Sequence, residues 1–315
     1  PQTAGGLRNV TINYASAPSV AFYAIGSGCG GWWCGWNQPV QLSGNLAVTS
    51  GGTIVHHPYS WLDLTGVASS STFTGPGDIT LNRGENNLGA VTVNPTLATA
   101  SVNLYNNSAN ANLTLSAPVT NLTLTQPNAS FTLPANQVTG SLYLNNQGGT
   151  STTDTLTVGA QTLTGSLDLR ADSGINPLLP ASVWNVGTTA NFNNTSGLAL
   201  VNQIIAGGTT TLTAGAATGD ILLNNALNSL RDVTVNSGHD VTLTSAYNAG
   251  VTLSLPQTAG GLRNVTIDYA NAPSVAFYAI GSGSGCWYCA PNYPIQLSGN
   301  LAVTSGGTIG HHPYS

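Results

Sequence analysis

"GDITLNRGENNLGAVTVN" (Gly77–Asn94) and "GDILLNNALNSLRDVTVN" (Gly219–Asn236) align without a gap and share 11 of 18 residues. Their common frame is G-D-I-x-L-N-x3-N-x-L-x2-V-T-V-N: two short alternating runs joined by a bend that contains asparagine. Alternation with period 2 puts one set of side chains on each face of a strand, so Val and Leu face a core while Thr faces water. A strand, bend and strand that recur elsewhere in one chain are what a winding of a β-solenoid requires. Asn tolerates the left-handed backbone expected of the bend, and Leu88 and Leu230 are placed to point into the corner. The second copy runs on through "SGHDVTLTS", which gives about 20 residues per winding.

The same texture extends along the chain. Runs such as "VNL" at 102, "LTL" at 113 and 122, "FTL" at 131, "LYL" at 142, "LTV" at 156 and "VTL" at 241 and 251 are separated by Gly, Asn, Asp, Ser or Pro. Their starts lie roughly 8 to 14 residues apart, the spacing of an all-β array. No helical periodicity survives, and the Asn-Gly or Asp-Gly pairs that would turn the hairpins of a sandwich or propeller do not occur between strands. The predicted fold is therefore an all-β parallel β-solenoid.

A longer period lies over this one. Residues 1–60 and 256–315 align without gaps with 50 identities, an offset of 255 residues. The chain is thus expected to hold one full repeat, 1–255, and the start of the next, 256–315. Seven of the ten differences fall between positions 29 and 40, six of them in "GSGCGGWWCGWNQP" and its counterpart "GSGSGCWYCAPNYP" and the seventh at Val40/Ile295. Loops 26–39 and 281–294 read as decorations protruding from a frame under packing constraint. At one winding per 20 residues and a strand spacing of about 4.8 Å, a repeat would make about 12 to 13 coils and rise near 60 Å.

Composition narrows the function. Charged residues are 5% of the 315, against about 25% in typical globular chains; the five cations are all arginine and the net charge is −5. Nucleic-acid binding needs a field of Lys and Arg to replace phosphate counterions, and this chain has none. No run of about 18 apolar residues is present to insert into a membrane. The 41% apolar content argues against disorder. A surface with so few charges also lacks a usual guard against edge-to-edge pairing, which suits a filament better than a monomer.

"GDILLNNALNSLRDVTVNSGHDVTLTSA" and "LSGNLAVTSGGTI" resemble the repeats of filamentous-haemagglutinin-type exoproteins, large secreted bacterial β-helices often exported by two-partner secretion. The resemblance covers Leu42 to Ile54 and Gly77 to Leu255 unevenly. It implies a right-handed β-solenoid, a secreted or cell-surface location, and a structural segment of a tandemly repeated filament or adhesin. The expected partners are further copies of the same repeat, with neighbouring filaments or surface glycans beside them. The cysteine loop is no part of that family pattern, so its role is read from its own residues.

Cys29 and Cys34 in one loop, and Cys286 and Cys289 in the other, keep a pair while changing its spacing. A bridge needs only a reachable Cα separation of about 4.4–6.8 Å, so a local disulfide closing each loop tolerates the shift. Cross-links between filaments are the second reading. A four-cysteine metal site would need both pairs together, and a redox motif would need a helix N-terminus beside Cys286. Oxidised cysteines agree with an extracellular location. Trp32, Trp33, Trp36, Trp287, Tyr288 and Tyr293 in the loops form either a contact patch for sugars and neighbouring filaments or a cover over the solenoid.

The remaining candidates are weaker. "HHPYS" at His56–Ser60 and His311–Ser315 invites a metal reading, but neighbours in an extended segment face opposite ways, which favours loop packing. Asp78, Asp220, Asp232 and Asp240 precede strands and read as turn residues. Some β-helices cleave polysaccharides with converging carboxylates. Here only Asp168 and Asp172, beside Arg170, are close in sequence, and Asp168 with Arg170 reads as a surface ion pair. Neither catalysis nor a cofactor is expected. The rival functions are a polysaccharide-binding or polysaccharide-cleaving β-helix and, more remotely, an ice-binding solenoid. The latter would present a threonine ladder, and the Thr pairs are not spaced at a constant coil period.

Overall fold

The structure, a computed structural model, describes residues 7–24, 38–215, 218–256, 262–280 and 294–311. The protein is all-β, with parallel strands stacked as a β-solenoid of about 10 turns and no helix among the described residues. By contacts the chain divides into two compact units, Pro1–Phe131 with Gln137–Asp154, and Thr132–Asn136 with Thr155–Ser315.

In the first unit a long sheet stacks Ser19–Phe22, Thr53–His56, Ile79–Leu81, Ser101–Tyr105, Asn121–Thr125 and Leu142–Asn145. A second sheet stacks Val10–Tyr14, Leu46–Ser50, Ser70–Gly75, Ala90–Pro95 and Asn112–Leu115. Inward residues form columns along the stack. Leu104 lies between Leu81 and Leu124, which in turn pairs with Leu144, and all four are at most 2% exposed. The second unit is built alike: Leu169, Phe192, Leu212 and Val235 stack in register at 0% exposure. Burying each such side chain is worth roughly 1.5–3 kcal/mol, so the columns carry the stability. Trp184 is also fully buried there, its ring stacked on Phe192 at 5.8 Å and its Nε1–H donating to the Gly159 carbonyl at 3.0 Å.

The windings are longer and less even than expected. Val102 pairs with Leu122 and Leu122 with Leu142, 20 residues apart, but Ile54 pairs with Ile79 at 25 and Val20 with Ile54 at 34. The structure as a whole makes about 10 turns, where 12 to 13 were expected of one 255-residue repeat. Corners absorb most of the extra residues; within strands, the pair Thr210–Thr213 and Val233–Ser237 shifts register by one residue between Leu212 and Thr213. Where register holds, threonines that are unevenly spaced in sequence still align: Thr72, Thr92 and Thr114 form one outward column.

The repeated frame occurs once in each unit. In the first, Ile79–Leu81 lies in the long sheet and Ala90–Pro95 in the second sheet; in the second unit, Ile221–Leu223 joins Val241–Thr244 and Val265–Tyr269, and Val233–Ser237 joins Thr210–Thr213 and Val251–Pro256. In both, the frame bends the chain from one sheet into another at a corner. Leu88 and Leu230 both point into that corner, each at 0% exposure.

The asparagines work differently from expectation. Among the described non-glycine residues only Asn136 has positive φ, 55°. Asn86 and Asn228, the shared bend asparagines, are buried at 0% exposure and act as hydrogen-bond hubs. Asn86 Oδ1 accepts the Leu62 N–H at 2.9 Å and its Nδ2 donates to Leu81 O at 2.9 Å. Asn228 Oδ1 accepts the Ile204 N–H at 2.8 Å and its Nδ2 donates to Leu223 O at 3.4 Å. A bend backbone turned inward must find partners, and the amide supplies both an acceptor and a donor. The left-handed residue at this first corner is Gly89 (φ 62°), where a Cβ would lie 2.1 Å from the Ser69 carbonyl oxygen.

The two copies of the 60-residue segment have the same pairing. Val10↔Leu46 and Ser19↔Thr53 in the first copy become Val265↔Leu301 and Ser274↔Thr308 in the second. The isolated bridge Leu7↔Leu42 likewise becomes Leu262↔Leu297.

Candidate functional site

The sequence-derived site residues Cys29, Cys34, Trp32, Trp33 and Trp36, and Cys286, Cys289, Trp287, Tyr288 and Tyr293, lie outside the described residues. The root of the first loop is described. The Ala24 N–H on its entry side donates to Ser60 Oγ at 2.9 Å. On the exit side, Gln38 in the strand Gln38–Leu42 pairs with Ser60 in Ser60–Leu64. Both ends therefore meet at one serine, which is 1% exposed.

Around this root the structure gathers His57 and Tyr59 of the HHPYS segment with two rings not singled out in the sequence, Tyr23 and Trp61. Tyr23 meets His57 edge to face at 4.7 Å, and His57 meets Tyr59 at 5.5 Å. Both tyrosines stay well exposed, at 62% and 58%. Arg83 lies over Trp61 at 5.9 Å, donates to the Pro58 carbonyl and pairs with Glu85 at 3.2 Å. The Arg83 guanidinium holds the Glu85 carboxyl below its ordinary pKa. The signal available in the sequence was density: Tyr14, Tyr23, Tyr59 and Trp61 flank the loop and its partner strand.

Both ring nitrogens of His56 meet backbone groups. Its Nε2 accepts the Asn82 N–H at 3.1 Å, which leaves Nδ1–H to donate to the His57 carbonyl at 3.1 Å. These bonds are met by the neutral ring with its proton on Nδ1.

The strand-leading aspartates do more than turn the chain. Asp78 Oδ1 accepts the Ser101 N–H, and Asp232 Oδ1 the Thr252 N–H, each from the next winding. Three such links follow one another: Asp220 Oδ1 takes Asp240 N–H, Asp240 Oδ1 takes Asn264 N–H and Asn264 Oδ1 takes Asn300 N–H. In the first copy Asn9 Oδ1 takes Asn45 N–H at 2.9 Å, the counterpart of the Asn264 link at 3.0 Å. A carboxylate or amide before a strand thus staples winding to winding.

Asp220, His239 and Asp240 place their potential ligand atoms within 4.8 Å of one another. The geometry describes an ion-pair ladder. Arg263 grips Asp240 through Nε to Oδ1, at 2.9 Å, and through Nη2 to Oδ2, while Asn264 donates both N–H and Nδ2–H to Oδ1. The Arg263 bonds come first in driving the Asp240 carboxyl far below the ordinary range, and Asp240 in turn raises the guanidinium. His239 Nδ1 sits 3.2 Å from Asp220 Oδ1 on the flank. Elsewhere Asp168 is held by Arg170 at 2.9 Å and by Asn191 Nδ2 at 2.8 Å, the surface ion pair expected from their shared face.

A family described as repeats of unknown function (DUF5649) matches residues 38–94. That span holds the exit of the first loop, the Ser60 anchor and the first copy of the bend frame. No curated protein and no solved structure matches the chain. The match fits a repeat β-solenoid protein and names no activity.

Proposed function

We propose that this chain is a structural segment of an extracellular, tandemly repeated β-solenoid fibre, a cell-surface filament or adhesin of the filamentous-haemagglutinin type, without catalysis. The observation that supports it is the junction inside the second unit. The first described winding of the second copy, with strands Val265–Tyr269 and Ser274–Ile280, stacks on Val241–Thr244 and Val251–Pro256, the last strands of the first period. Its Leu262 and Tyr269 are 1% and 0% exposed, whereas the same residues of the first copy, Leu7 and Tyr14, are 51% and 60% exposed. The start of a repeat is therefore shaped to be covered by the end of another. Stacking of this kind lengthens a fibre without leaving an open strand edge between periods.

The acids add support. Asp78, Asp168, Asp232 and Asp240 are each tied to a backbone amide or an arginine, which is the use of a carboxylate in a frame. In this reading the loops 26–39 and 281–294 supply contacts once per period.

The test is a chain carrying one additional copy of residues 1–255 ahead of the present sequence. Tyr14 of the present chain should nitrate readily with tetranitromethane, become protected in the longer chain, and electron microscopy should show a fixed increment of length. Equal nitration in both chains would reject the stacking. Replacing Trp32, Trp33 and Trp36 with Ala should weaken bundling or surface attachment at unchanged length; if both persist, adhesion does not reside in the loops.

A further inference from the structure

The bend of the repeated frame opens a cup at the surface in each of its two occurrences. In the first unit the cup has a volume of about 290 Å³, and its lining mixes apolar residues such as Leu64 and Val67 with Asn87, Asn107 and Asn110 and includes no charged side chain. In the second it measures about 320 Å³ and is lined by Gly208, Thr209, Arg231, Asp232, Tyr247 and Gly250. Gly66 and Gly208 hold the same place, each 11 residues ahead of its frame, but Gly89 of the first frame is replaced by Arg231 in the second. In a chain with five arginines, putting a cation, an acid and an aromatic ring at one cup is a marked local departure.

Three features define what fits. Arg231 is pinned: Nε donates to the Tyr247 hydroxyl at 2.8 Å, Nη1 donates to the Gly207 carbonyl, and the guanidinium carbon lies 5.6 Å from the ring centre. Its Nη2 has no partner among the described residues and offers two N–H bonds to a ligand. Asp232 uses Oδ1 for the Thr252 N–H at 2.7 Å, and Oδ2 has no partner among the described residues. The pair is oppositely charged, so the cup has little net charge while it offers fixed donors, a fixed acceptor and the Thr209 hydroxyl. A bare anion meets Asp232 and a cation meets Arg231. A hydroxyl-rich neutral ring meets both as partners, since each hydroxyl donates and accepts, and it rests against the apolar body of Tyr247. The volume lies at the low end of ligand pockets, about 300–1,000 Å³, which suits one sugar residue rather than a longer chain.

We propose that the Arg231–Asp232–Tyr247 cup is a binding site for one neutral hexopyranose residue. The site goes beyond the fibre reading and does not depend on it, because the cup lies on an exposed corner outside the stacked apolar columns. If it recurs once per period, weak single sites would add through multivalency.

The test is saturation-transfer NMR on the full chain with D-glucose, D-galactose, D-mannose and N-acetyl-D-glucosamine as probes, and with inorganic sulfate as competitor. At least one sugar should show saturable transfer, lost in Arg231→Gln and in Tyr247→Ala and weakened in Asp232→Asn. The Asn variant keeps the acceptor for the Thr252 N–H, so it remains informative if a second variant fails to fold. Arg170→Gln should bind like the parent. Absence of transfer from all four sugars, or transfer unchanged in Arg231→Gln, would overturn the proposal. Displacement of the sugar by sulfate, with tighter sulfate binding in Asp232→Asn, would make the cup an anion site and overturn it as well.

Discussion

Asn86 and Asn228 show how much a single side chain carries in this fold. Each closes a corner by accepting an N–H from the preceding winding and donating to a carbonyl five residues back. Replacement by alanine leaves a buried N–H and a buried carbonyl without partners, which costs about 1–3 kcal/mol for each group. Asn86→Ala and Asn228→Ala should therefore destabilise by similar amounts in urea unfolding, and a neutral effect at either would show that water replaces the amide. Tyr269 poses the opposite case. It is fully buried, its hydroxyl lacks a partner of good geometry among the described residues, and the neighbouring Ser245 Oγ is already bonded to Leu230 N. Burial raises its pKa above the ordinary tyrosine value. A raised folded pKa gives stability that is full below the unfolded value of about 10 and is lost as pH climbs towards the folded one. Tyr269→Phe should flatten the alkaline loss of stability above about pH 10, read from urea unfolding across that range; an unchanged slope would remove Tyr269 as its source.

At the level of the element, side chains ahead of the strands tie one winding to the next. Asp240 belongs to the winding that receives the second copy, and its carboxyl is held far below the ordinary range chiefly by Arg263. A lowered folded pKa contributes stability that is present above the unfolded value of about 3.9 and disappears as pH falls through the folded one. The contact is partly open to solvent, with the Asp240 side chain 27% exposed and that of Arg263 50%, so salt should weaken it. Asp240→Asn keeps the Asn264 N–H acceptor and removes the charge. It should abolish that part of the acid sensitivity below about pH 4 while leaving amide exchange of Asn264 slow at neutral pH. Fast exchange at Asn264 would mean that the charge, and not the acceptor, holds the winding. Ser60→Ala makes the parallel test at the first loop: the Ala24 amide should exchange faster while the column Leu81, Leu104, Leu124 and Leu144 stays protected.

For the whole molecule, evenness of register matters more than evenness of sequence. Pairing offsets run from 19 to 36 residues, yet inward apolar columns form within each unit. A solenoid of this kind adds extra residues at corners, where they cost little, and keeps the strands where apolar burial rewards them. Function is then free to occupy corners and loops: the aromatic root around Ser60, the junction ladder at Asp240 and the cup at Arg231 all lie outside the columns. The repeat junction follows the same rule, because a second copy with 50 identities in 60 residues reproduces the first copy's register and buries what the first leaves open.

The alternation of Val, Leu and Ile with Thr and Asn, the recurring bend frame and the 255-residue offset were enough to determine an all-β parallel solenoid, because period 2 and repetition are properties of adjacent residues. Leu88 and Leu230 were legible as corner residues, and Asp168 with Arg170 as a surface pair, for the same local reason. The number of turns was not, since winding length depends on how each corner folds. Nor was the burial of Asn86 and Asn228, whose hydrogen-bonding partners lie 24 residues away along the chain. Asp240 with Arg263, 23 residues apart, and Arg231 with Tyr247, 16 apart, become neighbours only when one winding is laid on the next. Stacking converts a distance of one coil in sequence into one strand spacing in space, and only the tertiary structure sets which residues that conversion brings face to face.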